Sequence, residues 1–452
     1  MTDLCREILD APDRDHCPGQ RPVISLRDDE PPEFLAAVLP RIHRRVELSR
    51  RGVWHGGWAE LREADAPRSA VPTEALLHER WHAARPILLR GWVEPGHVQE
   101  ELADRRRLFH ELAEPGGLRD FLRSRREEYE PHFTLAPRPA RLADPERDIE
   151  RHCLTWRARP DDPASPVLRD LWVKSAWLST SDDEHSLRLR VSAGREGPDD
   201  ASRDLRTHRR VAELAGALLP ESLLVSEHEL LIGLLEDFLT GPVLLSQHIA
   251  YWNAPQGGAL FHHDAFDEHL LGGQRGVVFL QLDGVTAWLA LSIDDLGRRV
   301  TEFAEYLKEG ELSWVRRALF GRSGSFTRFH RLTQDPQRLR RELARPGCGS
   351  LGPVVGRGPE FTALLADAGH ALLLEPGDVL ILPNHGLART CMHSVFCATD
   401  APAYGVSMAL RELEPAQDPD GPPPAATGRG RAARRSRGRR PRRGSRRRGE
   451  RP

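Results

Sequence analysis

Cysteine is scarce: six residues in 452 (Cys5, Cys17, Cys153, Cys348, Cys391, Cys397), with no Cys-X-X-Cys pair among them. That argues against a disulfide framework, suits a reducing compartment, and makes Cys391 and Cys397 buried thiols rather than a bridge. A secretory leader is lacking too, since Met1-Thr2-Asp3-Leu4-Cys5-Arg6-Glu7 holds no apolar core. So is a membrane span: the most apolar long window, Leu230–Leu245, is broken by Glu236 and Asp237 and is too short. These absences predict a cytoplasmic protein with no membrane partner. His-Glu-X-X-His is missing, which removes the usual helical zinc-hydrolase pattern. The body of the chain also lacks positive charge. Arg429–Arg451 holds 13 arginines and one acid, Glu450, leaving 52 basic and 66 acidic groups before it, a net −14 against +12. Nucleic-acid attraction is expected only through that tail.

What is present is globular in composition, with 39% hydrophobic and 29% charged residues. Residues 1–70 are rich in Pro, Asp and Arg and define no domain. Residues 71–241 read as mixed helix and strand leading into a barrel. Helices are predicted after Thr73, across 97–128, on the Val211, Leu214, Ala215, Leu218 face, and over Glu229–Leu239. Strands are predicted at 85–92, 171–178 and 187–191, while proline-punctuated 130–170 reads as irregular. Residues 242–412 form the barrel core, in which Val243–Trp252, Gly276–Asp283, Thr286–Ser292, 377–383 and Tyr404–Leu410 are strands. A helical insertion over 294–370, carrying a Val300, Phe303, Ala304, Leu307 stripe, interrupts them. Residues 413–452 are a linker and Arg-rich tail without enough apolar area to fold.

The chemistry concentrates at Phe261-His262-His263-Asp264-Ala265-Phe266-Asp267-Glu268. In an extended chain alternate side chains share a face, so His262 and Asp264 point one way and His263 the other. A third ligand must come from a distant strand. His393, just before the last strand, is preferred, and His385 is the alternative. Two imidazoles and one carboxylate on one side of a metal is the donor set of non-haem Fe(II) oxygenases. The competing reading of the first pair is a histidine hydrogen-bonded to a carboxylate at a strand end. Gln247, His248, Tyr251 and Asn253, polar side chains on the preceding strand, would meet a co-substrate if they lie on the inner face. Trp252 and Trp288 read as core.

With these residues in place, the chain resembles the JmjC or cupin-like Fe(II)/2-oxoglutarate oxygenases. The likeness is carried by Arg85-Pro86-Ile87-Leu88-Leu89-Arg90-Gly91, the run Gly258–Trp288, and Pro376–Pro383 with His393 beyond, covering about 74–92 and 242–412. It implies an α+β, mainly β protein built on a double-stranded β-helix, the jelly-roll or cupin barrel. It implies Fe(II) on His262, Asp264 and His393, 2-oxoglutarate as co-substrate, and hydroxylation of a protein side chain or a small molecule. Thr286 stands where the family has the lysine that holds the remote carboxylate of 2-oxoglutarate, so Lys174, Arg275, Arg389 or Arg411 must substitute, or that co-substrate is not used. The alternative is a non-catalytic cupin-like protein that binds a metal or ligand. The insertion would serve as a lid or as the surface of a homodimer.

Overall fold

In the computed structural model the described residues are 74–95, 102–144, 147–177, 186–194, 205–254, 258–265, 273–309, 313–321, 323–356, 359–397 and 402–412. The 1–70 region, Asp267, Glu268 and the linker and tail from 413 lie outside them.

Two antiparallel sheets face each other. The larger has nine strands, in the order β1 (Ile87–Leu89), β11 (Val379–Pro383), β8 (Gln274–Asp283), β13 (Ala403–Glu412), β6 (Val243–Asn253), β5 (Ser186–Ala193), β4 (Val167–Trp177), β3 (Asp148–Arg157), β2 (Phe133–Leu135). The smaller is β10 (Ala371–Leu374), β9 (Thr286–Ser292), β12 (Cys391–Cys397), β7 (Gly258–His262). Helices cover the outer faces. On the large sheet lie α1 (Glu74–His82), α2 (Leu102–Ala113), α3 (Gly117–Ser124), α4 (Leu205–Leu218) and α5 (Glu229–Leu239), whose apolar sides merge with the sheet into one core. On the small sheet lies the insertion, α6 (Ile293–Glu309), α7 (Ser313–Phe320), α8 (Ser323–Thr333), α9 (Pro336–Leu343) and α10 (Pro359–Asp367). This is a β-sandwich core compatible with a jelly roll.

Being covered on both faces explains why β9 and β12 are buried at every position and read as continuous apolar runs without alternation. The predicted α6 stripe is buried throughout, each large side chain contributing roughly 1.5–3 kcal/mol. Cys391 and Cys397 are free, buried thiols. Among the described residues no helix is long and apolar enough to cross a membrane.

One expectation fails. Residues 130–170 are not irregular: they contain β2, β3 and the start of β4. The prolines punctuate turns, and the alternation of β3 is hidden because its buried side is largely polar, with Asp148, Glu150 and His152 ahead of Leu154. Each has a partner there. Asp148 accepts from Lys174, and Glu150 accepts from the backbone N–H of Gly116 and Leu118 at the start of α3 and pairs with His152. The strands of 71–241 and those of 242–412 therefore share one sheet, joined where β5 pairs with β6.

On the helix side of β6, His248 is 1% exposed and neither ring nitrogen has a hydrogen-bond partner among the described residues. Burial, aided by the nearby His208, pushes it down to about 4 from 6.5. Below pH 6.5 the unfolded chain therefore takes up a proton that the folded chain refuses until about pH 4. Stability present above pH 6.5 is lost as the pH falls through that window, by about 3 kcal/mol in all. His248→Leu should flatten the pH dependence of urea-unfolding stability between pH 6.5 and 4, and an unchanged slope would refute this origin.

Candidate metal centre

Three ligand-type side chains converge at one end of the space between the sheets. His262 ends β7, Asp264 lies two residues on, and His393 is the third residue of β12. β7 and β12 are neighbours with His262 directly opposite His393, which brings their rings to 4.2 Å between centroids. Gly258 permits this closeness, because a Cβ there would fall 1.8 Å from the Val395 carbonyl oxygen. β7 also carries one extra residue between Ala259 and His262, a bulge that turns the strand end and re-aims its last side chain. One donor atom from each of His262, Asp264 and His393 lies within 4.8 Å of the others.

The hydrogen bonds around these groups favour an electron-pair acceptor at their centre. His262 Nδ1 lies 2.7 Å from the Leu260 carbonyl and His393 Nδ1 lies 3.4 Å from that of Cys391, each a carbonyl two residues back along the same strand. With Nδ1–H donating to these oxygens, each ring presents Nε2 as a lone pair, the orientation that outer-shell carbonyls impose on metal-binding histidines. His393 Nε2 then faces Asp264 Oδ2 at 3.4 Å. Burial, with His262 beside it, pushes His393 down to about 3, so this imidazole is neutral at ordinary pH. Lone pairs aimed at one another across a few ångströms are unfavourable unless a cation lies between them, so the donor set fits a divalent metal.

His263 points the other way. Its Nε2 sits 2.9 Å from the Ala344 carbonyl, which ties the end of β7 to the helical insertion. His385 does not join the cluster: its Nε2 lies 2.7 Å from the Trp81 carbonyl and its ring stands edge-on to that indole. It is a strut between α1 and the segment after β11, which removes it as the alternative distal ligand.

A cavity of about 80 Å3 opens beside the three donors, enough for several water-sized molecules. Gln247, Tyr251 and Asn253 line it, together with Trp288, which the sequence reads as core, and with Gln274 and Ser407, which the sequence did not flag. Gln247 is placed by strain. β6 holds one extra residue against β13 between Ser246 and Ile249, and Gln247 adopts φ +52°, unusual for a non-glycine residue. That kink sends Gln247 inward and His248 outward. Asn253 Oδ1 and Gln274 Oε1 are buried without a hydrogen-bond partner among the described residues and are available to a ligand. Burial raises the Tyr251 phenol, which stays protonated as a donor at neutral pH.

Thr286 does not reach the cavity, contrary to its place as a co-substrate contact. Its hydroxyl donates to Gln281 Oε1 (2.6 Å) and accepts from Trp288 Nε1 (2.9 Å), while Gln281 Nε2 donates to the Asp283 and Tyr404 carbonyls. Its task is to orient Trp288, which is cavity wall rather than plain core, whereas Trp252 is indeed packed in the core behind the large sheet. None of Lys174, Arg275, Arg389 or Arg411 lines the cavity. Ser407 and Gln274 escaped notice because short polar residues at strand positions are common. Only their register opposite Ile249 and Arg411 reveals the inner face.

No known protein family and no curated protein matches the sequence. Among solved structures, the chain is similar to Escherichia coli ycfD, with 13% identity and a TM-score of 0.24, over 78% of this chain and 61% of that one. It is also similar to YcfD, described as a ribosomal oxygenase from Escherichia coli, in complex with cobalt and 2-oxoglutarate, with 12% identity and a TM-score of 0.19, over 63% of this chain and 51% of that one. The chain thus spans between half and two thirds of the length of these structures.

Proposed function

We propose that the protein is a non-haem Fe(II)-dependent oxygenase that uses 2-oxoglutarate and hydroxylates a protein side chain or a small molecule. The observation that carries this is the convergence of two imidazoles and one carboxylate, with their lone pairs facing inward, at the mouth of a cavity. Strand order supports it. The last eight strands divide as β6-β13-β8-β11 and β7-β12-β9-β10, the interleaving of a double-stranded β-helix.

His262, Asp264 and His393 would hold the iron, which when bound supplies the oxygen-activating chemistry. The rest falls to the chain. Leu260 and Cys391 fix the tautomers of the two histidines through their carbonyls, and Tyr251, Asn253 and Gln247 present hydrogen-bonding groups to the organic acid. Phe279, Trp288 and Val395 give a dry wall, strengthening each polar contact inside. The helical insertion packs on β7 through the His263–Ala344 and Cys348–Phe261 contacts and borders the site from outside.

Among the described residues no lysine or arginine lines the cavity, which favours a second reading, a cupin-like protein that binds a metal or small ligand without turnover. An anaerobic titration with Fe(II) and then 2-oxoglutarate separates the two. The oxygenase reading expects a visible metal-to-ligand charge-transfer band on adding the second component. Metal uptake without a band would favour the binding protein, and no tight metal uptake would end the oxygenase reading and leave only a small ligand to the other.

A further inference from the structure

Gln274, the first residue of β8, lines the cavity while being 2% exposed, and its carboxamide is only half used. Nε2 donates to the Gly276 carbonyl at 3.3 Å, which fixes the orientation of the amide, since an oxygen in that place would face another oxygen. Oε1 is buried and has no hydrogen-bond partner among the described residues. A buried acceptor left empty is costly, and one set in a cavity wall is satisfied by a donor on a bound molecule.

The topology sets Gln274 at the end of the cavity that holds the metal ligands. Gly276 is opposite Pro383 at the end of β11, and the Asn384 backbone N–H donates to the Arg275 carbonyl. Asn384 bridges to Thr390, so the chain reverses there and enters β12 at Cys391, two residues before His393. Along β13 the same order holds. Gln274 is opposite Arg411, near the end of that strand, and Asn253 is opposite Ala403, at its start. The two empty acceptors therefore serve opposite ends of the cavity, Gln274 beside the metal ligands and Asn253 far from them.

The charges around Gln274 narrow the donor. Asp264 is the one carboxylate lining the cavity among the described residues, and it is a metal ligand. A cationic side chain would be buried next to a divalent ion with no counter-charge of its own. A carboxylate brings only acceptors and would meet Oε1 oxygen against oxygen. A neutral N–H or O–H group meets neither obstacle. Resting on the oxygenase reading and extending it to the substrate, we propose that Gln274 is a specificity residue whose Oε1 accepts a hydrogen bond from the molecule to be oxidised, which enters with a neutral amide or hydroxyl group. A molecule without that donor leaves the acceptor empty, and this is the kind of contact that discriminates most sharply.

The test uses two small chelators that differ by one donor. Acetohydroxamate binds a divalent metal through two oxygens and carries an N–H, whereas N-methylacetohydroxamate has the same oxygens and no N–H. Each is titrated under nitrogen into the Co(II)-loaded full chain and followed in the visible Co(II) spectrum, for wild type, Gln274→Met and Gln274→Glu. Co(II) uptake should be the same in all three, which shows that each is folded. Wild type should bind the N–H compound about tenfold more tightly, the worth of one hydrogen bond to a buried acceptor. That preference should vanish in Gln274→Met, which keeps the length but no acceptor oxygen, and persist in Gln274→Glu, which keeps one. A preference that survives in Gln274→Met comes from the bulk of the N-methyl group and overturns the assignment. Equal binding of the two chelators by wild type, or binding of neither, overturns it as well, and the oxygenase reading outlives each of these results. Failure of the wild type to take up Co(II) removes the oxygenase reading and the assignment with it.

Discussion

Asp264→Ala should remove the metal from the protein and leave the fold in place. Of the three donors, Asp264 alone brings a negative charge, and it is more exposed than His393, its side chain 25% accessible against 5%. Losing an outer-shell partner commonly weakens metal binding 10–100-fold, so losing the anionic ligand itself should weaken it by at least about 100-fold. The charge-transfer band should vanish with it. The thermal midpoint of the metal-free protein should hardly move, because the side chain sits in a short segment after β7 and the unfavourable facing of lone pairs is relieved. Asp264→Asn keeps the shape but not the charge and should fall between. Retention of tight Fe(II) binding by Asp264→Ala would remove the carboxylate from the site and leave two histidines, too few for the proposed chemistry.

Asp378→Ala should cause the largest loss of stability. Asp378 is fully buried and accepts from Arg90 Nη1 at 2.7 Å, from the Gly91 backbone N–H at 2.7 Å and from that of Glu375 at 2.8 Å. Arg90, itself 3% exposed, also donates to the Leu373 carbonyl. The substitution strands a buried guanidinium and two backbone donors, a change that costs about 3–5 kcal/mol. Equilibrium urea unfolding reads it directly, and a loss below about 1 kcal/mol would mean that the pair is not the clasp described. Adding Arg90→Met to Asp378→Ala should return part of the loss, since the orphaned charge goes with it.

That clasp shows what was legible in the sequence and what was not. Arg90-Gly91 and Pro376-Gly377-Asp378 stand out separately as a strand end and a turn, and the sequence gives no sign that they meet. Gly377 is required there both by its φ of +97° and by the Val93 carbonyl oxygen, 2.6 Å from where a Cβ would stand. The strand and helix pattern from Val211 onward could be read because apolar periodicity sets it directly. β3 could not be, because its buried side is made of ion pairs, and a charge looks exposed until its partner is known. At the site, His262 and Asp264 were visible from their spacing. The company of His393 depends on a strand register that only the folded chain fixes. The bulge that turns Gln247 inward has no sequence signal, since glutamine is not a residue that announces a positive φ.

The nine-stranded sheet ends on both sides in its shortest members, β1 and β2, three residues each. A wide sheet with long open margins would offer rows of unpaired backbone donors and acceptors to any passing chain. Three-residue borders provide too little template for another molecule to zip onto. The flank of β2 is further interrupted by Pro131 and Pro137. The broad platform that carries the cavity wall is thus guarded against sheet-to-sheet polymerisation by the brevity of its borders, leaving its inner face free to specialise.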